Sequence, residues 1–226
     1  MIFILLSLFP PLREAKEFGF GDIPRITKPS ISVTYQNLFS ISELQSMQVT
    51  WNRERYGFIL SHFGTELYRE IVFGGRYKLD LENIWLMVEP SLLYLSQNNE
   101  DNIGFNGDFM MGLIGKDYEI YLNTIHLISY IRGETIPVEM ELCLLFDSEW
   151  NSIGLKFSFI EDWGIGLGFG YILKFTNFEA GLGLITNPLI PTAGISIDIG
   201  SIRFSAGFQN HPDLGLSRTF TIYYMR

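Results

Sequence analysis

The sequence predicts an all-β protein, a closed antiparallel transmembrane β-barrel of about 12–14 strands. Three observations predict it. Strict apolar/polar alternation recurs along almost the whole chain, turn residues punctuate it at short intervals, and hydrophobic residues reach 47% with 15% aromatics among 226 residues. Beyond the N-terminus no apolar run approaches the 18 or more residues that a spanning helix requires, so strands are the element left to cross a bilayer with every backbone group paired. The clearest case runs from Gly194 to Phe208. Successive side chains on a strand point to opposite faces, so Ile195, Ile197 and Ile199 oppose Ser196 and Asp198. After a Gly200-Ser201 turn, Ile202, Phe204, Ala206 and Phe208 oppose Arg203, Ser205 and Gly207.

Taken in order, residues 1–15 read as a signal peptide or an apolar N-terminal arm, because Met1 to Phe9 is nearly unbroken apolar sequence. Residues 16–28 are a short segment broken by Gly19, Gly21 and Pro24, and residues 29–226 are the barrel. The first predicted strands are 30–37 and 44–52, where Ile31, Val33 and Tyr35, then Met47, Val49 and Trp51, alternate with Ser, Thr and Gln. Strands 56–63 and 67–79 follow, the second setting Ile71, Phe73 and Tyr77 against Glu70, Arg76 and Lys78. Strands 84–96 and 103–115 flank the polar stretch 97–102, whose composition predicts an exposed hairpin tip. A strand at 117–123 precedes 124–137, where the alternation is lost and Ile125 to Ile131 reads either as strand or as a short helix. It returns at 138–146, 153–159, 165–171, 178–184, 193–199, 202–209 and 216–224. Fourteen such units over 198 positions average about 14 residues each, enough for roughly 9–11 tilted residues and a turn. A barrel of that size is wider than the roughly eight-strand case that side chains fill, which predicts a lumen, and Gly166, Gly168 and Gly170 on one inner face leave room within it.

The net charge of −9 argues against nucleic acid, which requires a basic footprint. The single cysteine, Cys143, lies in an apolar run and reads as packing. His62, His126 and His211 have no metal-ligand spacing, and there is no Gly-x-Ser-x-Gly turn, so neither a metal nor another cofactor nor catalysis is expected. The candidate functional residues are the charges that alternation turns inward: Glu70, Arg76, Lys78, Glu89, Asp108, Glu139, Glu141, Lys156, Glu179, Asp198 and Arg203. They read as a lumen lining, paired with one another to keep the interior soluble. Tyr35, Trp51, Tyr56, Tyr77, Trp85, Trp150, Trp163 and Tyr224 read as interfacial girdles.

Two stretches carry a family resemblance. The segments from Ile31 to Leu79 and from Phe178 to Tyr224, the latter with Thr186-Asn187-Pro188 and His211-Pro212-Asp213-Leu214-Gly215 at its turns, resemble outer-membrane proteins of the PorV/PorQ type within the FadL-like long-chain fatty acid transporter superfamily. The resemblance implies a bacterial outer-membrane barrel of about fourteen strands that acts in transport or in secretion without catalysis. Its partners would be membrane lipids, a secretion-system or surface protein, or a hydrophobic small molecule. Such proteins usually carry an N-terminal segment with an Asn-Pro-Ala motif that folds into the barrel as a hatch; here residues 16–28, broken by Gly19, Gly21 and Pro24, are too short for one, so little or no hatch is expected. A structural or surface-binding barrel and a soluble all-β ligand-binding protein are the alternatives.

Overall fold

A computed structural model describes residues 29–65, 68–97, 100–131, 136–160 and 164–225. The N-terminal assignments for 1–28, the tip at 98–99 and Trp163 lie outside these residues. The described chain forms fourteen strands: β1 (Ser30–Asn37), β2 (Gln45–Asn52), β3 (Tyr56–Gly64), β4 (Tyr68–Leu81), β5 (Ile84–Gln97), β6 (Glu100–Ile114), β7 (Tyr118–Ile131), β8 (Glu139–Asp147), β9 (Asn151–Ile160), β10 (Gly164–Phe175), β11 (Phe178–Ile185), β12 (Ile190–Ile199), β13 (Ile202–His211) and β14 (Gly215–Met225). Each pairs antiparallel with its sequence neighbours, and β1 pairs with β14 from Ser30↔Met225 to Asn37↔Arg218, closing the barrel. Closure leaves no sheet edge, so every strand finds its backbone partners inside the wall.

The faces follow the alternation. On β1, Ser30, Ser32, Thr34 and Gln36 are buried while Ile31, Val33 and Tyr35 are exposed. The outward belt continues around the barrel through residues such as Phe58, Phe73, Leu92, Phe105, Leu142, Phe157, Phe169, Ile195, Phe204 and Ile222, all exposed. So large an uninterrupted apolar exterior belongs in lipid. The two ends differ. One carries the described chain ends and only connections of two or three residues, 53–55, 82–83, 115–117, 148–150, 176–177 and 200–201; the other carries links of two to seven residues, the longest being 38–44 and 132–138. In outer-membrane barrels short turns face the periplasm and longer loops the exterior.

Three sequence expectations are corrected. The polar stretch 97–102 does end the β5–β6 hairpin, with Glu100 and Asp101 exposed, but it is mostly strand: Gln97 pairs with Glu100, Ser96 with Asp101 and Leu95 with Asn102, so the loop is shorter than composition suggests. Polar side chains at a barrel rim satisfy both exposure and pairing. Residues 124–131, which had lost their alternation, belong to β7. Its pairing with β6 jumps from Gly107↔Ile128 to Phe109↔Thr124, so Ile125, His126 and Leu127 oppose Asp108 alone, with His126 at φ 59°. This wide irregularity breaks the period in the sequence without ending the strand. Finally, Trp85 is not in a girdle: it is fully buried inside the barrel. Trp150, 67% exposed in the β8–β9 turn, with Tyr56, Tyr77 and Tyr224, does lie outward at the short-turn end.

Turn chemistry accounts for the sharp connections. Gly200 takes φ 62° at the first central position of the β12–β13 turn, the conformation a two-residue type II′ hairpin requires. At the β13–β14 turn His211 Nδ1 accepts hydrogen bonds from the backbone N–H groups of Asp213 and Leu214, each 3.2 Å, and Gly215 at φ 93° starts the next strand.

Candidate functional site: the barrel lumen

The eleven charged residues singled out above all occupy positions whose sequence neighbours face outward, and the structure groups them into clusters. On β4 and β5, Arg76 stands opposite Glu89 and donates to it through Nε, while Nη1 donates to Asn52 Oδ1 at 3.2 Å. That second reach crosses β3 at Gly57, where a Cβ would lie 2.7 Å from Asn52 Oδ1. Lys78 pairs with Asp80 at 2.7 Å and sits 5.6 Å from the Trp85 ring centroid. Asp108 lies opposite Glu89 and accepts hydrogen bonds from the His126 backbone N–H at 2.7 Å and from Asn106 Nδ2 at 2.9 Å. His126 Nδ1 in turn contacts Asn106 Oδ1 at 2.8 Å, so the β7 irregularity is held by a closed polar triad.

A second group is deeper. Glu141, with no solvent exposure, accepts from Lys156 Nζ at 3.2 Å and from Asn123 Nδ2 at 2.9 Å. A third group joins Arg203 to Asp198 through two hydrogen bonds of 2.5 and 2.6 Å, with Glu179 3.7 Å away. Glu70 accepts from the Tyr68 hydroxyl, and Glu139 begins β8, half-buried. In three places, Arg76 with Glu89, Lys156 with Glu141 and Arg203 with Asp198, opposite charges on neighbouring strands thus neutralise one another across the ladder.

Apolar residues also face inward, and alternation-based selection of charges passed them over. Trp85, Met87, Tyr121, Cys143, Leu145 and Ile172 form a buried cluster with Met110 against it. Its layer is set by register: Trp85, Gly112, Tyr121, Cys143 and Lys156 stand opposite one another in turn across β5 to β9. Gly112 is required there, since a Cβ would lie 2.5 Å from the Trp85 ring. Trp85 Nε1 donates to Glu119 at 3.1 Å, which satisfies the indole in an apolar setting. The signal was present in sequence: Ile84, Leu86 and Val88 share the outward face, which turns Trp85 and Met87 inward. At the loop end a smaller cluster of Leu95, Ile131 and Ile136 packs with Tyr68 and Leu93. Ser129 Oγ pins Ile136 there, donating to its carbonyl at 3.1 Å and accepting from its N–H at 3.0 Å.

The rest of the inner wall is small and hydroxylated. Gln48, Thr34, Thr221, Ser205, Ser196 and Glu179 stand successively opposite one another across six strands. Thr34 meets Thr221 at 3.0 Å and Ser196 meets Ser205 at 2.7 Å. Glycines line the adjacent wall: Gly154, Gly170 and Gly183 form one row, and Gly181, Gly194 and Gly207 another. The hydroxyl of Thr219, opposite Gly207, is buried without a hydrogen-bond partner among the described residues. The lumen therefore has a bulky, partly apolar side centred on β4–β8, which Ile172 of β10 joins, and a wall rich in small and hydroxylated residues on β11–β14, β1 and β2.

Among the described residues no group of three or more His, Cys, Asp or Glu side chains is placed to hold a metal. His62 faces outward, His126 sits in the triad and His211 caps a turn.

A closed barrel with a lipid-facing exterior and a polar interior is the architecture of bacterial outer-membrane proteins, and the fold assigns this chain to that class. No family model matches the chain, and no curated protein matches it in sequence. Solved structures do match in fold. The TodX monoaromatic hydrocarbon channel, as a deltaS2 mutant, superposes with a TM-score of 0.59 at 10% identity over 95% of this chain and 99% of that one. The outer membrane protein Omp33 of Acinetobacter baumannii gives 0.56 at 8% identity over 87% and 97%, and the CymD monoaromatic hydrocarbon channel 0.55 at 9% identity over 86% and 85%.

Proposed function

We propose that this chain is a non-catalytic barrel of the bacterial outer membrane that passes small, largely apolar solutes. One observation carries the reading: Trp85, Met87, Tyr121, Leu145 and Ile172 turn into the lumen of a barrel that already has lipid outside to accept such residues. A merely water-filled pore gains nothing from an internal apolar layer. The names of TodX and CymD, both monoaromatic hydrocarbon channels, support the same solute class. Thr219 and the paired charges would bound the path and keep the apolar layer from collapsing across it.

A second reading, a structural or secretion-associated barrel of the PorV/PorQ type, is favoured by the near-complete burial of the small wall, from Thr34 and Thr221 to Ser196 and Thr192. One experiment separates them: uptake of a small aromatic such as toluene into proteoliposomes, beside planar-bilayer conductance. The transport reading expects faster toluene entry than with empty vesicles, slowed by Gly181→Leu, which narrows the small wall. Absence of both toluene entry and conductance, with the barrel folded, sinks it in favour of the second reading.

A further inference from the structure

The outward face carries an anomaly at the loop end. Every cation on a described strand points inward except Arg69 and Arg218, which lie on the lipid-facing side of β4 and β14 and are exposed. Neither side chain makes a hydrogen bond or ion pair with a described residue. Along the facing row that joins them the outward positions Asn37 on β1 and Gln45 on β2 are polar, as are His62 on β3 and Asn210 on β13 close by, although Phe208, opposite Arg218 on β13, is apolar. Asn37 is engaged by the adjoining loop, donating to Ile41 O at 2.8 Å.

This crescent is not simply where the membrane ends. At the same end of β8 to β12 the outward residues Met140, Phe159, Ile165 and Leu184 remain apolar and exposed. The polar band therefore dips on one side only, over β13 through β6, where Ser96 and the exposed Asp101 continue the row from Arg69. An unpaired guanidinium at the hydrocarbon boundary is costly unless an anion meets it, and its planar fork matches a phosphate. Arg69 and Arg218 are four strand spacings apart, roughly 19 Å at about 4.8 Å per strand. They are too far apart to share one phosphate, so each would hold its own.

We propose that this crescent binds the phosphate headgroups of anionic lipid in the loop-side leaflet. Arg69 and Arg218 supply the charge, and Gln45, His62 and Asn210 supply further hydrogen bonds. The site is independent of what the lumen passes.

The test is lipid selectivity by spin-label electron paramagnetic resonance, with the barrel in phosphatidylcholine vesicles containing spin-labelled phosphatidic acid. Wild type should favour phosphatidic acid over spin-labelled phosphatidylcholine in its motionally restricted shell, less so as salt rises. Arg69→Gln with Arg218→Gln should lower that preference by about fivefold per arginine. Lys116→Gln, a charge removed from the β6–β7 turn at the opposite end, should leave most of it. Arg69→Lys with Arg218→Lys, which keeps the charge, serves should the glutamine variant fail to fold; it should retain a preference that salt abolishes. Absence of preference in wild type overturns the proposal, as does its survival in the glutamine variant. So does pairing of two barrels through this face without selectivity for phosphatidic acid.

Discussion

Glu141 and Lys156 illustrate what a single buried charge demands in this lumen. Their side chains are 0% and 5% exposed, so each depends on the other for the solvation that water no longer gives. Breaking such a pair leaves an uncompensated charge: Lys156→Met should cost about 3–5 kcal/mol, whereas Lys156→Met with Glu141→Leu should cost much less. Urea unfolding in detergent micelles measures both, and equal losses would show that the pair does not govern stability. Glycine at 112 is constrained from the other side. Gly112→Val places atoms inside the Trp85 ring and should destabilise by about 1–3 kcal/mol, read in the same assay together with a shift in tryptophan emission. Trp85 also shows what sequence reading missed at this scale. Proximity to a strand end suggested an interfacial aromatic, but the phase set by Ile84, Leu86 and Val88 already placed it inside; phase outranks position along the strand.

At the scale of the element, alternation carried most strands. The β12–β13 hairpin was legible because Ile195 to Phe208 keeps one phase on each side of a turn that needs Gly200. Here Phe204 faces out, 43% exposed, while Ser205 is buried against Ser196. Phe204→Arg should cost roughly 2–4 kcal/mol if it lies near the bilayer midplane, and Phe204→Leu far less. The pair is compared by unfolding in lipid vesicles, and similar costs would place Phe204 off the lipid face. Strand β7 was only half legible. Three residues facing Asp108 alone shift the phase, and alternation carries no marker for a shift of that kind. What repairs it, the Asp108–Asn106–His126 triad, spans two strands and so is invisible to any reading of one segment. The polar rim of β5 and β6 failed differently: composition reports exposure, and at the end of a barrel an exposed residue is as often paired as looped.

For the whole molecule, the count of strands and their closure were implied by length and repetition, while the contents of the lumen were not. Which inward charge meets which follows from register between strands, and register is a property of pairs. Seven of the eleven selected positions are carboxylates and four are cations, so any ionic current through the barrel should favour cations. Reversal potentials across a salt gradient measure this; absence of preference would mean that the acidic groups are neutralised by their partners, and anion preference would overturn the expectation.

The seam between β1 and β14 sets a condition in time. Eight residue pairs, from Ser30↔Met225 to Asn37↔Arg218, join the beginning of the wall to its end. Until β14 is in place the sheet has two open margins, β1 and β13, each presenting unpaired amides that lipid cannot satisfy. A nascent wall of thirteen strands therefore has no stable residence in the bilayer, and insertion must wait for the C-terminal strand or for a helper that lends one. Assembly is then all or nothing, and the quality check on a finished barrel is made by its own last strand.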